Sequence, residues 1–405
     1  MRRAYKFRLR PTKGQHVRLQ ACLEDHREIY NAALEERRGA YERVVRRSDG
    51  FFGPARPKTP VRYGTQSAQL RAIRAARPEM ARWSFSSEQA TLRRLDKAFG
   101  AFFSRVGGGA KPGYPRFKAA DRFDSVEWPK DGDGCRWKPE AGRVYLKGVG
   151  DVKVTAHRAV QGTLKTIQVR RAGRKWMLVL SCDDVPAKRL EPTGQAAGVD
   201  VGINVFAAVT DPGFAAGGLV ENPRWARAGA ARLAIAQQAL ARKQRGSANR
   251  RAARETIAAR HRKIANQRAD FHHKTARTLV ERYDVIVVEK LTITNMVRSA
   301  KGTAERPGTN VAAKSGLNRS IADAGWGAFV SILKSKAEEA GRTVIDDVAP
   351  AYTSQTCHAC GHVDAANRTG TVFRCLVCGH ADHADINAAR NILRAGLAPP
   401  TATAA

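Results

Sequence analysis

Over the first ten residues apolar and charged side chains alternate: Tyr5, Phe7 and Leu9 stand between Lys6, Arg8 and Arg10, and Pro11 ends the run. A period of two predicts one short strand followed by a turn. From residue 15 to 44 the period lengthens, with Leu19, Cys22, Leu23, Ile29, Tyr30, Ala33 and Leu34 at helical spacing. Pro54, Pro57 and Pro60 then break the chain between Phe51 and Tyr63, so two helices should flank a loop. A further helix carries Leu92, Leu95, Phe99, Phe102 and Val106 on one face, with Ser86 or Ser87 as its cap and Gly107-Gly108-Gly109 at its end.

After Pro115 the pattern becomes β-like, with pieces at 124–128, 143–147 and 152–155 and a hairpin of 163–171 with 175–182 about Ala172-Gly173. The opening strand has no sheet of its own, which predicts that it pairs here and that the helices are an insertion. A linker with Pro186 and Pro192 follows. Beyond it the pattern is α/β: a continuous apolar strand over 197–210, a helical stretch over 225–281 broken at Gly246-Ser247, the strand Val285-Ile286-Val287-Val288 before Glu289, a helix over 319–340 and a strand over 343–348. The last ten residues, rich in Ala, Pro and Thr, should fray.

Charge narrows the class of partner. Of 405 residues, 71 are Lys or Arg and 37 are Asp or Glu, a formal charge of +34. With 43% hydrophobic residues the chain can still bury a core, which excludes wholesale disorder. A nucleic acid is the polyanion such an excess calls for, although charge alone names no reaction. The densest run is Arg242, Lys243, Arg245, Arg250, Arg251, Arg254, Arg260, Arg262 and Lys263, opposed only by Glu255. A solvated helix face is the bland reading; like charges so crowded favour nucleic-acid contact. No apolar run approaches the roughly 18 residues of a membrane span, and no secretion core follows Met1, so a cytoplasmic protein is expected.

Cys357-x-x-Cys360, fourteen intervening residues and Cys375-x-x-Cys378, with Gly361 and Gly379 after each pair, predict a structural Zn²⁺ ribbon, although the gap is one short of the usual window. His358, His362 and His380 could substitute as ligands but read better as surface residues. Cys22, Cys135 and Cys182 read as ordinary thiols. Three acids stand where charge is hard to justify structurally: Asp200 within an apolar strand between Gly198 and Gly202, Glu289 at a strand end, and Asp385 before a helix. Each has a bland alternative, as a bulge residue, a surface charge or an N-cap. Together they suit hard divalent cations, since like charges in one cleft need cations between them. Asp346, Asp347 and Asp382 are rivals without that context.

These residues resemble the TnpB family of transposon-encoded RNA-guided nucleases, related to compact type V CRISPR effectors. The resemblance runs through Tyr5-Lys6-Phe7-Arg8-Leu9, Tyr30-Asn31-Ala32-Ala33-Leu34, Gly113-Tyr114-Pro115-Arg116-Phe117-Lys118, Gly198-Val199-Asp200-Val201-Gly202, Glu289-Lys290-Leu291, Ser354-Gln355-Thr356-Cys357 and Asp385-Ile386-Asn387-Ala388-Ala389. It implies a multidomain α+β chain. A wedge β-barrel would span 1–11 and 111–192 with a helical recognition insertion at 12–110. An RNase H-like (RuvC) nuclease domain would span 193–350 and 382–396, interrupted by a zinc ribbon or target-nucleic-acid-binding insertion at 351–381, with a disordered tail at 397–405.

By the same resemblance Asp200, Glu289 and Asp385 would hold catalytic Mg²⁺, two ions in number, while the four cysteines hold Zn²⁺. The partners would be a guide RNA and double-stranded target DNA bearing a short adjacent motif, in a monomeric particle in a prokaryotic cytoplasm. Tyr63, Gln66, Ser67 or Gln69 could read that motif, with Phe51, Phe52 or Trp83 as a wedge, and the loop over 297–316 could be a lid. A compact CRISPR effector, an RNA-guided repressor that does not cut, and a protein-only nuclease or transposase accessory are the alternatives.

Overall fold

The computed structural model describes residues 1–42, 44–46, 52–54, 61–303 and 305–398, which fall into two compact units, Met1–Pro186 and Ala187–Ala405. In the first unit, β1 (Arg3–Arg10) is followed by α1 (Lys13–Glu42), β2 (Val44–Arg46), β3 (Phe52–Pro54), α2 (Tyr63–Ala76) and α3 (Phe85–Gly107). Six further strands follow: β4 (Ser125–Trp128), β5 (Cys135–Lys138), β6 (Arg143–Leu146), β7 (Gly150–Thr155), β8 (Thr163–Ala172) and β9 (Lys175–Asp183). They form one sheet in the order β4-β8-β9-β1-β7-β6-β5. The opening strand therefore does join the later sheet. It runs antiparallel to β9 from Arg3↔Cys182 to Leu9↔Trp176 and to β7 on its other edge, and its alternation buries Tyr5, Phe7 and Leu9.

Two local expectations change. The backbone of Ser84, not Ser86 or Ser87, starts α3; both later serines lie in its first turn, where the Ser87 hydroxyl donates back to the Ser84 carbonyl at 2.7 Å. Gln66 and Trp83 are not free to read DNA. Gln66 is buried and bonds the Ala33 carbonyl and the Arg37 and Glu36 side chains, while buried Trp83 donates to Asp25 at 2.6 Å. Gln69 donates to Glu36, Ser67 accepts from Gln89, and the Tyr63 ring lies under the Arg93 guanidinium. Phe51 and the Phe52 side chain lie outside the described residues.

The second unit contains β10 (Ala196–Val201), β11 (Val205–Val209), β12 (Leu219–Glu221), α4 (Trp225–Ala241), α5 (Ala248–Arg282), β13 (Val285–Glu289), α6 (Ile293–Met296), α7 (Val311–Ala324), α8 (Trp326–Ala340) and β14 (Thr343–Val348). After these come β15 (Arg368–Thr369), β16 (Val372–Arg374), β17 (Ala381–His383) and α9 (Ala384–Leu397). Its main sheet has the order β12-β11-β10-β13-β14, with β10, β13 and β14 parallel and β11 and β12 antiparallel, which is the RNase H-like arrangement. The unit begins at Ala187 rather than 193 because the linker is tied down: Leu190 N–H donates to the Ala340 carbonyl and Arg342 to that of Glu191.

The apolar run over 197–210 is a hairpin, not one strand. It turns after Gly202, and Val199 pairs with Val209 and Asp200 with Ala208. Both arms are buried, so hydrophobicity hides the turn between them. The helix expected over 319–340 is two helices meeting at Gly325, whose φ of 69° ends α7 and opens α8. Because α7 starts at Val311, the last third of the supposed lid is helical. Lys314 and Asn318 on α7 donate to the carbonyls of Met296 and Val297, pinning the near end of that loop. At the other terminus α9 extends through Leu397, and 399–405 lie outside the described residues.

Close packing of α9 on the sheet sets up the site. A Cβ on Gly198 would stand 2.1 Å from the Ala389 carbonyl oxygen, and one on Gly396 would stand 2.3 Å from a Val287 methyl. These glycines let the helix backbone rest on β10 and β13, which only residues without side chains permit.

Candidate metal-dependent active site

Asp200 lies one residue past the last β10–β13 pair, Val199↔Val288, and Glu289 is the last residue of β13. Parallel pairing therefore brings both carboxylates to the same end of adjacent strands. Asp385 arrives on the first turn of α9, which crosses them; the N-cap there is His383, whose ring accepts the Asp385 N–H. Burial drives the Asp200 carboxyl from 3.8 up to about 7, and the negative charges of Glu289 and Asp385 add to the rise against an opposing effect of Arg368. Burial also pushes Glu289 up, against a hydrogen bond of 2.5 Å from the Thr353 hydroxyl. The Arg368 guanidinium bonds Asp385 at 2.8 Å.

Asp200 thus feels the charges of both other acids. Among the described residues, groups of three or more ligating side chains whose donor atoms all lie within 4.8 Å are the four cysteines and His358, His380 and Asp382, not the three acids. Three carboxylates are the hard oxygen donors that a divalent cation takes, which fits the group in donor chemistry. The rivals are otherwise engaged: Asp346 pairs with Lys334 and Asp382 with Arg390 at 2.7 Å. Asp346 and Asp347 also occupy a register shift between β13 and β14, where Val287 pairs with Ile345 but Glu289 with Val348.

A raised native pKa has a thermal consequence. The Asp200 proton is held in the folded chain but not in the unfolded one between about pH 4 and 7, so its contribution to stability is complete at low pH and is lost as pH rises through 7. Asp200→Asn, which never ionises, should therefore raise the melting temperature in magnesium-free buffer more at pH 8 than at pH 5. A difference that is flat or reversed between the two, measured by calorimetry, would contradict a buried, crowded carboxyl.

The four cysteine sulfurs fit zinc. Cys357 and Cys378 lie 3.7 Å apart and Cys360 and Cys375 3.6 Å, close to the roughly 3.8 Å edge of a tetrahedron with Zn–S bonds of about 2.3 Å. The two knuckles are built alike. Gly361 and Gly379, at φ 80° and 72°, return their N–H groups to the Cys357 and Cys375 carbonyls, while Cys357 N–H and Cys375 N–H bond the carbonyls of His362 and His380. The N–H groups of Cys378 and Val377 point at the Cys375 sulfur and pull its thiol down to about 6. His358 and His380 are not surface residues: both are half-buried, their rings 4.6 Å apart, and Arg390 bonds both His358 and Asp382. A guanidinium already neutralises that second cluster.

Sequence reasoning passed over the residues that carry the acids. Asn387 and Asn391, one turn apart on α9, hold the turn leading into the ribbon through the carbonyls of Thr353 and Thr356 and the His358 N–H. Two buried Asn at i and i+4 on an otherwise apolar face were a legible signal, because such amides need partners. Thr353 and Arg368 offered none. Of the nine basic residues, six are exposed, while Arg250, Arg260 and Arg262 are half-buried. Arg250 is occupied with the Leu240 and Lys243 carbonyls, closing the end of α4.

Family models match three stretches: "Probable transposase" (IS605 OrfB) over residues 178–300, "Cas12f1-like, TNB domain" over 326–392, and "Helix-turn-helix domain" over 1–45. In that last stretch residues 13–42 are one unbroken helix. Over 398 residues the chain is 32% identical to the "Putative RNA-guided DNA endonuclease InsQ" of Escherichia coli (strain K12), covering 97% of this chain and 92% of that protein. It is also 32% identical over 412 residues to a "Putative RNA-guided DNA endonuclease" of Streptomyces pristinaespiralis, covering 98% and 90%. A 58-residue stretch, 14% of each chain, is 52% identical to the CRISPR-associated endodeoxyribonuclease Cas12f1 of Sulfoacidibacillus thermotolerans. With identity at that level sustained along nearly its whole length, the chain belongs to the TnpB-like, IS605 OrfB family that includes InsQ.

Proposed function

We propose that this protein is an RNA-guided DNA endonuclease of a transposable element that hydrolyses phosphodiester bonds at Asp200, Glu289 and Asp385. The observation that carries the reading is the convergence of those carboxylates at one end of β10 and β13, where burial first, and then the charges of Glu289 and Asp385, lift Asp200 to about 7. Divalent cations such as Mg²⁺, held by the three acids, would activate water for attack and stabilise the leaving 3′ oxygen. Thr353 fixes the Glu289 carboxylate, and the first turn of α9 with Arg368 fixes Asp385. Asp200, held protonated by burial and its acidic neighbours without a cation, would ionise on holding one. A closed four-sulfur shell has no open position, so zinc holds the ribbon and takes no part in the chemistry.

Guide pairing would supply sequence choice, leaving the protein to read backbone geometry with its +34 charge. A repressor that binds without cutting has no need of three crowded acids, which disfavours that alternative. No helix among the described residues is long and apolar enough to cross a membrane. The test is retargeting: protein purified with its RNA should cut a plasmid matching the guide beside the adjacent motif, and a new guide should move the cut. Cutting that persists after the RNA is removed, or ignores its sequence, would favour a protein-only nuclease.

A further inference from the structure

We propose that residues 97–120 form a stacking platform for unpaired nucleotides, a proposal that rests on the nucleic-acid reading above. The stretch holds five aromatic residues, five Lys or Arg and no Asp or Glu. Of the two flanking acids, Asp96 is taken up by Arg37 at 3.0 Å, and Asp121 follows the stretch. Phe103 is 54% exposed, Tyr114 42% and Phe117 47%, at the end of α3 and in the irregular chain after it.

The platform is preorganised. Phe103 lies near-parallel to Phe99 at 6.3 Å, and the Tyr114 ring stands edge-on to Phe99 and Phe102 at 5.5 and 5.2 Å. Four residues on, the loop is fixed again: the Asn31 side chain accepts the Lys118 N–H at 2.8 Å and donates to its carbonyl at 3.0 Å, and Arg27 donates to the same carbonyl. The segment between these anchors, with Arg116 and Phe117, is held without helix or strand. Rigid aromatics set among cations suit a polyanion whose bases present free faces, because stacking needs an unpaired base and phosphates need neighbouring charge. A second copy of this chain fits worse, since a two-fold contact would set each cluster of cations against its own image.

The experiment uses full-length protein and an oligo(U) RNA carrying 5-iodouridine, photo-crosslinked and mapped by mass spectrometry, with a blunt RNA duplex as comparator. Adducts are expected at Phe103, Tyr114 or Phe117. Phe103→Ser with Phe117→Ser should weaken oligo(U) binding by about thirtyfold or more and leave the duplex unaffected. Arg116→Gln should flatten the salt dependence of oligo(U) binding by about 0.7 in slope. Adducts confined to other segments, or a double variant that binds oligo(U) normally but loses self-association in sedimentation, would overturn the platform while leaving the nuclease reading intact. A parent chain that binds no RNA would remove both.

Discussion

Asp200→Ala and Glu289→Ala should each lower guided DNA cleavage by about a thousandfold or more, because each removes a ligand for the cations that would stabilise the leaving oxygen as it becomes anionic. RNA and DNA binding should survive. β10 is kept in register by its backbone pairing to β11 and β13, which the substitution leaves in place. Loss of two or three acids together should be little worse than loss of one, since carboxylates sharing cations act as a unit. Asp346→Ala supplies the comparison. That residue also lies at the β13–β14 end but is paired with Lys334, so cleavage should persist in the variant. Undiminished cutting by Asp200→Ala or Glu289→Ala, or a loss in Asp346→Ala as deep as theirs, would move the active site elsewhere.

Removing zinc should have the second largest effect. Cys357→Ser, or stripping with a strong chelator followed by magnesium, should release the metal, loosen residues 353–380 to proteolysis and lower cleavage by at least about 10- to 100-fold. The reason is connectivity. Thr353, which holds Glu289, lies four residues before Cys357, and Arg368, which holds Asp385, lies between the two cysteine pairs. Folding of the ribbon thus fixes two of the three acids, although a closed four-sulfur shell would keep its metal out of the chemistry. Zinc-free protein that cuts at the full rate would show that the acids are positioned without it. Proteolysis should leave the first unit's seven-stranded sheet intact, because no residue of that sheet belongs to the ribbon.

Much of this architecture is legible along the chain where the pattern is local. The opening strand, the helix α1, the break before α5 at Ser247 and the strand leading to Glu289 each announce themselves by period or cap. Ambiguity enters where burial erases the pattern. The hairpin β10–β11 reads as one strand because both arms are apolar, and α7 and α8 read as one helix because Gly325 has helical neighbours on either side. The adjacent-motif candidates divide the same way: Gln66 and Trp83 carry the right chemistry but are consumed by the Glu36, Arg37 and Asp25 side chains.

By itself the sequence determined the kinds of chemistry present: a paired-cysteine metal shell, three acids in apolar settings and a positive charge too large for anything but a polyanion. Residue type and short spacing suffice for these, because a knuckle or a charge run is built within a few residues. Only the tertiary structure decided which acids meet. Asp200, Glu289 and Asp385 stand 89 and 96 positions apart, and their crowding depends on the parallel register of β10 with β13 and on Gly198 letting α9 lie on the sheet. Their supports, Thr353 and Arg368, come from yet other segments, since a side chain's partners across a fold are set by packing rather than by its neighbours in the chain.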